Sequence, residues 1–426
     1  MSKLKLDVIE NDSNYVATIV KLPELKAVDG LDNLMLATVF GYNCLVWKDS
    51  NPNELYVFFP AETVLSDKFL SWNNLYRKSD MNCEKDKKGF FEENGRVKAV
   101  KFKGIVSSGF LIPIKSLLII CSYTELKESD SFHMINGEEV CKKFRSPQAI
   151  ARTKQLAKQW IKQPKYDRVI PTQFRLHTST PQFLRFLWDF REGDRIVITE
   201  KLHGTSAVFS NVLTKRNVWI IEKILIRLGI KVSTMEYFPL YSSRTVIKNK
   251  DINPNQDVGY YWEDIWGMYA KLLEWKIEKG ITLYGEIVWY TPSGGFIQQG
   301  YSYGCKEGES KFYVYRMTYT TPDGIVIEFT DSQIRQYCNL RSLAVVPLLQ
   351  ELTINKESFQ RLTDVYPKII EVMCSMNEGK VPREWVVIRR DWQETYSAYK
   401  LKSQLFLTYE TKELDKADSA DMESIS

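Results

Sequence analysis

A lysine between two strand-like runs constrains the fold of this chain more than any other feature. Asp194 to Glu200 alternates polar and apolar residues, with Ile196 and Ile198 on one face, which predicts a β-strand. An apolar run resumes at 207–209. The connecting residues Lys201-Leu202-His203-Gly204 include a glycine, which lets backbone approach a ligand closely. The pattern therefore predicts a lysine held at a strand-to-strand junction.

The spacing Lys-x-x-Gly is typical of lysines that attack the α-phosphorus of a nucleoside triphosphate and form a lysyl-nucleotide. By itself it is weak evidence. Gly makes up 21 of 426 residues, so a given lysine has roughly a one-in-twenty chance of a Gly three places on. Lys101-Phe102-Lys103-Gly104 is a second match. The alternative interpretation is a solvated lysine at a strand end, and only the downstream sequence separates Lys201 from Lys101.

Composition bounds the class of protein. A chain of 426 residues with 44% hydrophobic content predicts two folded domains with buried cores. The net charge of +5 permits a polyanionic partner. The seven cysteines contain no Cys-x-x-Cys pair, which favours free thiols in a reducing, cytoplasmic compartment. No signal peptide is visible, and charges interrupt the apolar run Val218–Ile230, so we expect no membrane span and no membrane partner.

The first 120 residues read as short strands separated by turns, which predicts a small β-barrel. Its segment Asn82–Lys103 interleaves lysines with Phe90, Phe91 and Phe102, a composition that suits nucleic acid. The alternative is a charged hairpin whose aromatics belong to the core. The candidate contacts are Lys87, Lys88, Arg96 and Lys98. Residues 121–168 are predicted to be a connector with a basic helix over 148–163, residues 169–408 a second domain, and residues 409–426 a disordered acidic tail.

Charged residues recur in apolar strands of the second domain. Glu286 and Glu384 lie in such runs, where an unpartnered acid costs stability. Lys400 and Lys402 share one strand face. Together with Arg244 and Lys201 they match a nucleotidyl-transfer site, in which carboxylates hold a divalent metal and cations neutralise phosphates. Helices are predicted over Val218–Ile230, Val258–Ile277 with a core-facing aromatic stripe, Asp331–Asn339 and Phe359–Met376.

The order of these segments resembles the covalent nucleotidyltransferase superfamily of ligases and capping enzymes. Its motifs I, Ia, III, IIIa, IV and V are matched, in order, by Lys201-Leu202-His203-Gly204, Ser243-Arg244, Leu283-Tyr284-Gly285-Glu286, Lys311-Phe312-Tyr313-Val314-Tyr315, Arg383-Glu384-Trp385-Val386-Val387-Ile388 and Tyr399-Lys400-Leu401-Lys402-Ser403. Gly89-Phe90-Phe91 and Ser107-Ser108-Gly109-Phe110 are similar to the barrel of the fifth RNA ligase family. The resemblance implies an α+β chain, with an N-terminal OB-like β-barrel before an adenylyltransferase (ATP-grasp-like ligase) domain of antiparallel sheets and helices.

The resemblance also implies residue roles. Lys201 would be the nucleophile. Glu286, Glu384 and His203 would serve the metal, Mg²⁺ or Mn²⁺. Phe312 would stack on adenine, the alternative being a core aromatic. The residues implied for ATP binding are Glu200, Leu202, Gly204, Arg244, Glu286, Phe312, Lys400 and Lys402. The chain departs from the family pattern at His203, where many ligases have Asp, and at Trp385, where motif IV usually has Gly.

The implied reaction has three steps: Lys201 takes AMP from ATP, passes it to a 5′-phosphate RNA end, and a 3′-hydroxyl displaces AMP. An mRNA guanylyltransferase and a non-catalytic RNA-binding OB protein remain alternatives. Whether the RNA is a nicked duplex, a broken tRNA or single strands stays open, and we expect a monomer.

Overall fold

The computed structural model describes residues 4–147, 150–151, 168–249, 252, 263–298, 300–358 and 369–415. These residues divide into two compact units. The first comprises the chain up to Ser146, Pro181–Leu187 and the residues from Lys402 onward, and the second comprises most of the chain from Pro147 to Leu401. Most of the basic helix predicted at 148–163, residues 258–262 of the helix predicted at 258–277, and much of the one predicted at 359–376 lie outside the described residues.

The α-helices of the described residues are α1 (Asp67–Trp72), α2 (Ile220–Arg227), α3 (Ile265–Leu273), α4 (Asp331–Leu340) and α5 (Gln404–Asp415). The predicted helix after Thr330 is confirmed. It begins with Thr330 as N-cap, because its hydroxyl accepts from the backbone N–H of Gln333. None of these helices is long and apolar enough to cross a membrane.

The first unit is built from short antiparallel strands. They are β1 (Leu6–Asp7), β2 (Ala17–Lys21), β3 (Leu34–Val39), β4 (Tyr42–Trp47), β5 (Leu55–Pro60), β6 (Thr63–Leu65), β7 (Val100–Phe102), β8 (Ile105–Ser107), β9 (Gly109–Pro113), β10 (Ser131–Phe132), β11 (Met134–Ile135), β12 (Glu138–Glu139) and β13 (Cys141–Lys143). The largest sheet has the order β10-β2-β5-β9. Buried aromatic and branched residues such as Phe59, Phe69 and Phe132 fill its core. Strands β10–β13 belong to this unit, so the β-structure extends beyond the predicted limit of residue 120.

Helix α5 occupies part of the segment predicted to be a disordered tail. The Thr411 hydroxyl donates to Glu62 over 2.7 Å and accepts from the backbone N–H of Ala99 at 3.1 Å. Asp415 accepts from Arg96 at 2.8 Å. The prediction of disorder is therefore wrong for residues 409–415, because buried polar groups of the first unit need these partners. Residues 416–426 lie outside the described residues.

The second unit contains two mainly antiparallel sheets. Its strands are β14 (Arg195–Lys201), β15 (Thr205–Lys215), β16 (Met235–Ser242), β17 (Ile281–Trp289), β18 (Ser310–Thr320), β19 (Val326–Glu328), β20 (Ala344–Val345), β21 (Leu348–Thr353), β22 (Trp385–Asp391) and β23 (Ser397–Lys402). One sheet has the order β21-β14-β22-β23 and the other β16-β15-β17-β18-β19, with β20 parallel to β18. The predicted α+β fold with antiparallel sheets is confirmed.

Helix α3 packs on the larger sheet through its aromatic stripe. Ile265, Trp266, Tyr269 and Leu273 are buried in the same cluster as Phe209 and other residues of β15, β17 and β18. The helix is shorter than predicted, but its described apolar face belongs to the core as its periodicity indicates. This packing covers one face of the larger sheet, and Val208, Val212 and Tyr284 of the same sheet belong to a second buried cluster.

Candidate active site

The predicted nucleophile lies where the chain passes from one sheet to the other. Lys201 is the last residue of β14 in the smaller sheet, and Thr205 begins β15 in the larger one. Gly204 makes this passage possible, since a Cβ atom there would lie 2.3 Å from the carbonyl oxygen of Ile287. Any larger residue would push the turn away from β17. The glycine of the Lys-x-x-Gly pattern therefore holds the lysine close to both sheets.

The Lys201 ammonium contacts the predicted motif IV acid. Its Nζ lies 3.2 Å from Glu384 Oε1, and His203 Nδ1 lies 3.2 Å from the same oxygen. Glu384 immediately precedes β22, whose first residue, Trp385, is the register partner of Lys201. Glu384 is only 3% exposed, and a buried carboxylate of this kind requires charged or hydrogen-bonding partners. Antiparallel pairing of β14 with β22 therefore brings residues far apart in sequence into one ion pair.

Trp385, which stands where motif IV usually has glycine, provides an aromatic surface for two lysines. The Lys400 ammonium lies 4.2 Å from the centroid of its ring and the Lys201 ammonium 5.7 Å from it. Both separations are within cation–π range. Trp385 therefore provides a shared contact between the lysines of motifs I and V.

The second predicted acid belongs to the larger sheet. Glu286 is the register partner of Ser206, and the Ser206 hydroxyl donates to Glu286 Oε2 over 3.2 Å. Gly285 beside it admits the Phe312 ring, because a Cβ atom there would lie 2.4 Å from that ring. These contacts orient the Glu286 side chain away from the core side of the sheet.

A cavity in the second unit gathers most of the predicted site. Of the residues implied for catalysis and ATP binding, it is lined by Glu200, Lys201, Leu202, Gly204, Arg244, Glu286 and Lys400. Arg244 donates to the hydroxyl of Ser179 at 3.1 Å. Glu200 is buried, accepts from the Cys374 thiol at 3.0 Å and lies 3.5 Å from Arg383 Nε. The cavity thus combines cations suited to phosphates with the carboxylates of Glu200 and Glu286.

The assignment of Phe312 to adenine requires correction. Phe312 is 5% exposed and packs in the core, where its ring centroid lies 4.9 Å from that of Phe209 and 6.1 Å from that of Tyr269. The register between β17 and β18 shifts at Tyr284/Gly285, which leaves Tyr315 as an extra residue on β18, as in a β-bulge. Tyr315 lines the cavity. The aromatic of motif IIIa at the site is therefore Tyr315.

Sequence reasoning missed His177, which supports Tyr315. The Tyr315 hydroxyl and His177 Nδ1 lie 2.7 Å apart, and both residues line the cavity. Burial, followed by the charges of Arg244, Arg316, Lys201 and Lys400, lowers the pKa of His177 to about 3. Its imidazole is therefore neutral at about pH 7. An isolated histidine in an irregular segment carries no pattern that could have identified it.

Tyr303 and Asn377 were also missed. The Tyr303 hydroxyl accepts a 2.7 Å hydrogen bond from the backbone N–H of His203. Asn377 Oδ1 accepts from the backbone N–H of Tyr303 at 2.9 Å and from the Ser302 hydroxyl at 3.2 Å. Burial and the charge of Glu384 raise the pKa of Tyr303 well above its ordinary value, so its hydroxyl stays protonated. These two residues support the turn that carries Lys201.

The remaining predicted residues lie in the first unit. Lys402 pairs with Glu410, and its ammonium lies 5.2 Å from the Phe406 ring. Arg96 is 4% exposed and forms ion pairs with Glu62 and Asp415. A buried, paired guanidinium cannot neutralise an RNA phosphate, so the RNA-binding prediction for Arg96 is wrong.

Two of the other predicted RNA contacts remain on the surface of the first unit. Lys87 and Lys88 are both exposed, and the Lys87 ammonium forms an ion pair with Glu84 Oε1 at 2.8 Å. Lys98 is less accessible and pairs with Glu92 and Asp415. RNA contact by Lys87 and Lys88 therefore stays a prediction that their exposure allows, and the pairing of Lys98 makes it a weaker candidate.

The donor chemistry of the site suits a hard divalent cation held together with a substrate. Within the described residues, no group of three or more His, Cys, Asp and Glu side chains is arranged as a metal centre. Glu286 and Glu384 supply carboxylate oxygens beside a cation-lined cavity. Mg²⁺ is commonly held by one or two carboxylates, with waters and phosphate oxygens completing its shell. The two glutamates fit that mode of binding.

The fold and the site define a ligase-type nucleotidyltransferase, and comparison with family models gives the same class. Residues 194–402 match the RNA ligase family and residues 16–114 match an OB-fold domain. Almost half of the chain thus matches the RNA ligase family, and an OB-fold domain precedes that part, in the order that the motifs indicate. That family implies an RNA substrate.

Solved structures with the same fold come from Naegleria gruberi. An RNA ligase mutant with AMP and Mn shares 14% identity, covers 92% of this chain and 98% of that chain, and has a TM-score of 0.56. The RNA ligase with PPi shares 16% identity, covers 93% of this chain and 98% of that chain, and has a TM-score of 0.56. An RNA ligase mutant with ATP and Mn shares 15% identity, covers 92% of this chain and 98% of that chain, and has a TM-score of 0.57. A search of curated protein sequences gives no significant match.

Proposed function

We propose that the protein is an ATP-dependent RNA ligase that joins 3′-hydroxyl and 5′-phosphate ends through lysyl-AMP and RNA-adenylate intermediates. The observation that carries this proposal is the Lys201–Glu384 ion pair of 3.2 Å at the edge of a cavity lined by Arg244, Lys400 and Glu286. A nucleophile, a carboxylate on each sheet and cations that line the cavity are the parts that phosphoryl transfer needs. The Naegleria structures with ATP, AMP or PPi support the choice of nucleotide.

In the first step, the deprotonated Nζ of Lys201 attacks the α-phosphorus of ATP. A phosphorus–nitrogen bond forms, the bond from that phosphorus to the bridging oxygen breaks, and pyrophosphate leaves. Glu384 orients Nζ through the 3.2 Å contact, and Arg244 and Lys400 neutralise phosphate charge. We assign Tyr315 to stack on the adenine, with its hydroxyl fixed by His177.

In the second step, an oxygen of the RNA 5′-phosphate displaces lysine and takes AMP. In the third, the RNA 3′-hydroxyl attacks that 5′-phosphate, and AMP leaves. Because both steps are displacements at phosphorus, the protein contributes mainly positioning and charge neutralisation.

Glu286 and Glu384 are the residues that would hold Mg²⁺ or Mn²⁺, which supplies charge neutralisation at the phosphates when bound. His203 Nδ1 faces Glu384, so we assign its imidazole to orient that carboxylate. This assignment differs from the direct metal ligand suggested by the family resemblance. Ser206 has the corresponding role for Glu286.

The decisive experiment is nucleotide labelling followed by sealing. The protein is incubated with α-labelled ATP or GTP and a divalent metal, separated on a denaturing gel, and then given nicked RNA with a 5′-phosphate or a 5′-hydroxyl. We expect a labelled adduct with ATP alone and sealing of the 5′-phosphate substrate alone. An adduct formed with GTP alone would identify a guanylyltransferase, and no adduct with either nucleotide would contradict the proposal.

A further inference from the structure

Helix α2 exposes apolar side chains that the ligase reaction does not use. It lies in the connection between the paired strands β15 and β16, where Lys215 is the register partner of Met235. A hairpin connection needs only about two to five residues, whereas residues 216–234 form this one. The connection is therefore an inserted element of the ligase domain.

No residue of α2 is buried. Trp219 and Ile220 are 76% and 77% exposed, and Leu228 is 71% exposed. From the exposed apolar residues of this segment we define the α2 surface as Trp219, Ile220, Ile221, Ile224, Leu228 and Ile230. Single exposed apolar residues are ordinary on proteins, but a contiguous group of this size marks an interaction site.

Positive charge surrounds the α2 surface. Lys223 and Arg227 lie on the helix, and Lys215 and Lys231 flank it, all four exposed. The acid of the segment, Glu222, already pairs with Arg216 at 2.7 Å. The surface therefore presents branched aliphatic residues and a tryptophan beside uncompensated cations, which indicates an occupant that is both apolar and anionic.

We propose that the α2 surface docks the protein on an anionic lipid membrane. A helix that lies in a membrane interface has this composition: a Trp and aliphatic residues that enter the headgroup boundary, with Lys and Arg beside acidic headgroups. Charged residues prevent the segment from spanning the bilayer, and lying on its surface is a separate mode of binding. The proposal revises the expectation of no membrane partner and is independent of the ligase chemistry.

Other occupants fit the same residues less well. RNA has the right charge, and Trp219 offers one ring for stacking on a base, but the Ile and Leu side chains that make up the rest of the surface offer none. A second copy of the chain would place Lys223 and Arg227 opposite like charges if the same surface met itself. Anionic lipid satisfies both the apolar and the charged residues.

Co-sedimentation of the full chain with lipid vesicles tests the proposal. Vesicles of phosphatidylcholine containing phosphatidylserine are compared with vesicles of phosphatidylcholine alone, at low and high salt. We expect binding to the phosphatidylserine vesicles, weakened by salt because screening shortens the range of surface charge. Failure of the wild-type protein to sediment with either kind of vesicle would overturn the proposal.

Two variants separate the apolar and electrostatic contributions. Trp219→Ser/Ile224→Ser should lower binding on the order of 10-fold or more. Lys223→Glu/Arg227→Glu should remove the preference for phosphatidylserine with a loss on the order of 10-fold or more. Trp392→Ser is the matched control, because Trp392 is also exposed, at 65%, but lies outside the α2 surface. Thermal unfolding of each variant verifies that the exposed substitutions leave the fold intact.

Further outcomes would contradict the lipid assignment. Equal vesicle binding by wild type and both variants would show that α2 does not carry it. If the wild type binds no vesicles but self-associates, and the variants lose that self-association, the occupant is a second copy of the chain. If the wild type binds no vesicles and the variants lose affinity for RNA, the occupant is RNA. A loss specific to the two α2 variants and absent in Trp392→Ser would support a membrane-docking surface.

Discussion

The hydroxyl oxygen of Tyr303 accepts a 2.7 Å hydrogen bond from the backbone N–H of His203. His203 is two residues after Lys201, inside the turn between the two sheets. Tyr303 is 3% exposed, and its own backbone N–H is held by Asn377. A buried contact of this kind fixes the turn backbone, and through it the position from which Lys201 reaches a nucleotide.

Tyr303→Phe should slow lysyl-AMP formation about 10-fold, because small errors in positioning slow phosphoryl transfer strongly. The KM for ATP should change little, since the Tyr303 ring remains. Single-turnover labelling with ATP measures both quantities. Tyr301→Phe is the matched control, because it removes another buried tyrosine hydroxyl, which donates to Pro382 O at 2.9 Å, and keeps the ring that contacts His203. An equal loss of the adenylylation rate in the two variants would show that the Tyr303 hydroxyl has only a structural role.

Trp385 should contribute to ATP binding through the aromatic face of its ring and not only through its volume. Trp385→Leu removes the surface shared by Lys201 and Lys400, whereas Trp385→Phe keeps an aromatic face. Since a cation–π contact contributes about 0.5–2 kcal/mol, Trp385→Leu should raise the KM for ATP several-fold and Trp385→Phe should raise it less. Steady-state adenylylation against ATP concentration distinguishes them. Identical kinetics in the two variants would mean that the ring face is unimportant.

Much of the site could be predicted because its residues lie on regular strands. Lys201, Glu286 and Lys400 occupy strand positions whose faces follow from the alternation of side chains, and motif order relates them. Phe312 was misassigned because motif order places an aromatic of β18 at the site without saying which face of the strand meets the cavity. Phe312 lies with Val314 on the core face, whereas Tyr315 lines the cavity.

Other features had no local pattern at all. His177 and Tyr303 lie in irregular segments and Asn377 in a three-residue 3-10 helix, where tertiary contacts rather than periodicity decide which side chains meet. Arg96 was assigned to RNA from its basic neighbourhood, but its ion pair with Asp415 joins residues at opposite ends of the sequence. Such a pair cannot be inferred without the fold.

Acidification should destabilise the protein through His177. Its folded pKa of about 3 lies below the unfolded value of about 6.5. Between these values the unfolded chain binds a proton that the folded chain does not, so stability falls as pH falls below about 6.5. The Tm of the His177→Gln variant should therefore fall less than the Tm of wild type between about pH 7 and pH 5. Thermal unfolding of both proteins at each pH provides the test, and parallel declines would contradict the assignment.

Lys87 and Lys88 should contribute to RNA affinity through charge. Lys87→Ala/Lys88→Ala should weaken binding and reduce the slope of log K against log salt by about 2, because each lysine that contacts a phosphate releases a counterion. Filter binding at several salt concentrations measures the slope. Lys142→Ala is a matched control for Lys87, since Lys142 is similarly exposed and also pairs with a glutamate three residues away. An unchanged slope in the double variant would exclude these lysines from the RNA interface.

Lys201 should be required for the first two steps of the proposed reaction and dispensable for the third. Its role is nucleophilic, since it carries AMP from ATP to the RNA end. Lys201→Ala should form no lysyl-AMP and should not seal 5′-phosphate RNA with ATP. With AMP already on the 5′-phosphate, the attacking group is the RNA 3′-hydroxyl and the leaving group is AMP. The variant should therefore still seal pre-adenylated RNA, at a reduced rate because a positive charge near the phosphates is lost.

Lys101→Ala provides the control for Lys201→Ala. Lys101 begins the second Lys-x-x-Gly match but is an exposed residue of β7 in the first unit, so its variant should keep the covalent adduct and the complete reaction. Labelled ATP followed by a denaturing gel reports the first step, and gel assays of ordinary and pre-adenylated nicked RNA report the others. An AMP adduct that persists in Lys201→Ala would place the nucleophile elsewhere. Loss of sealing on pre-adenylated RNA, with the fold retained, would show instead that Lys201 also acts when the 3′-hydroxyl attacks.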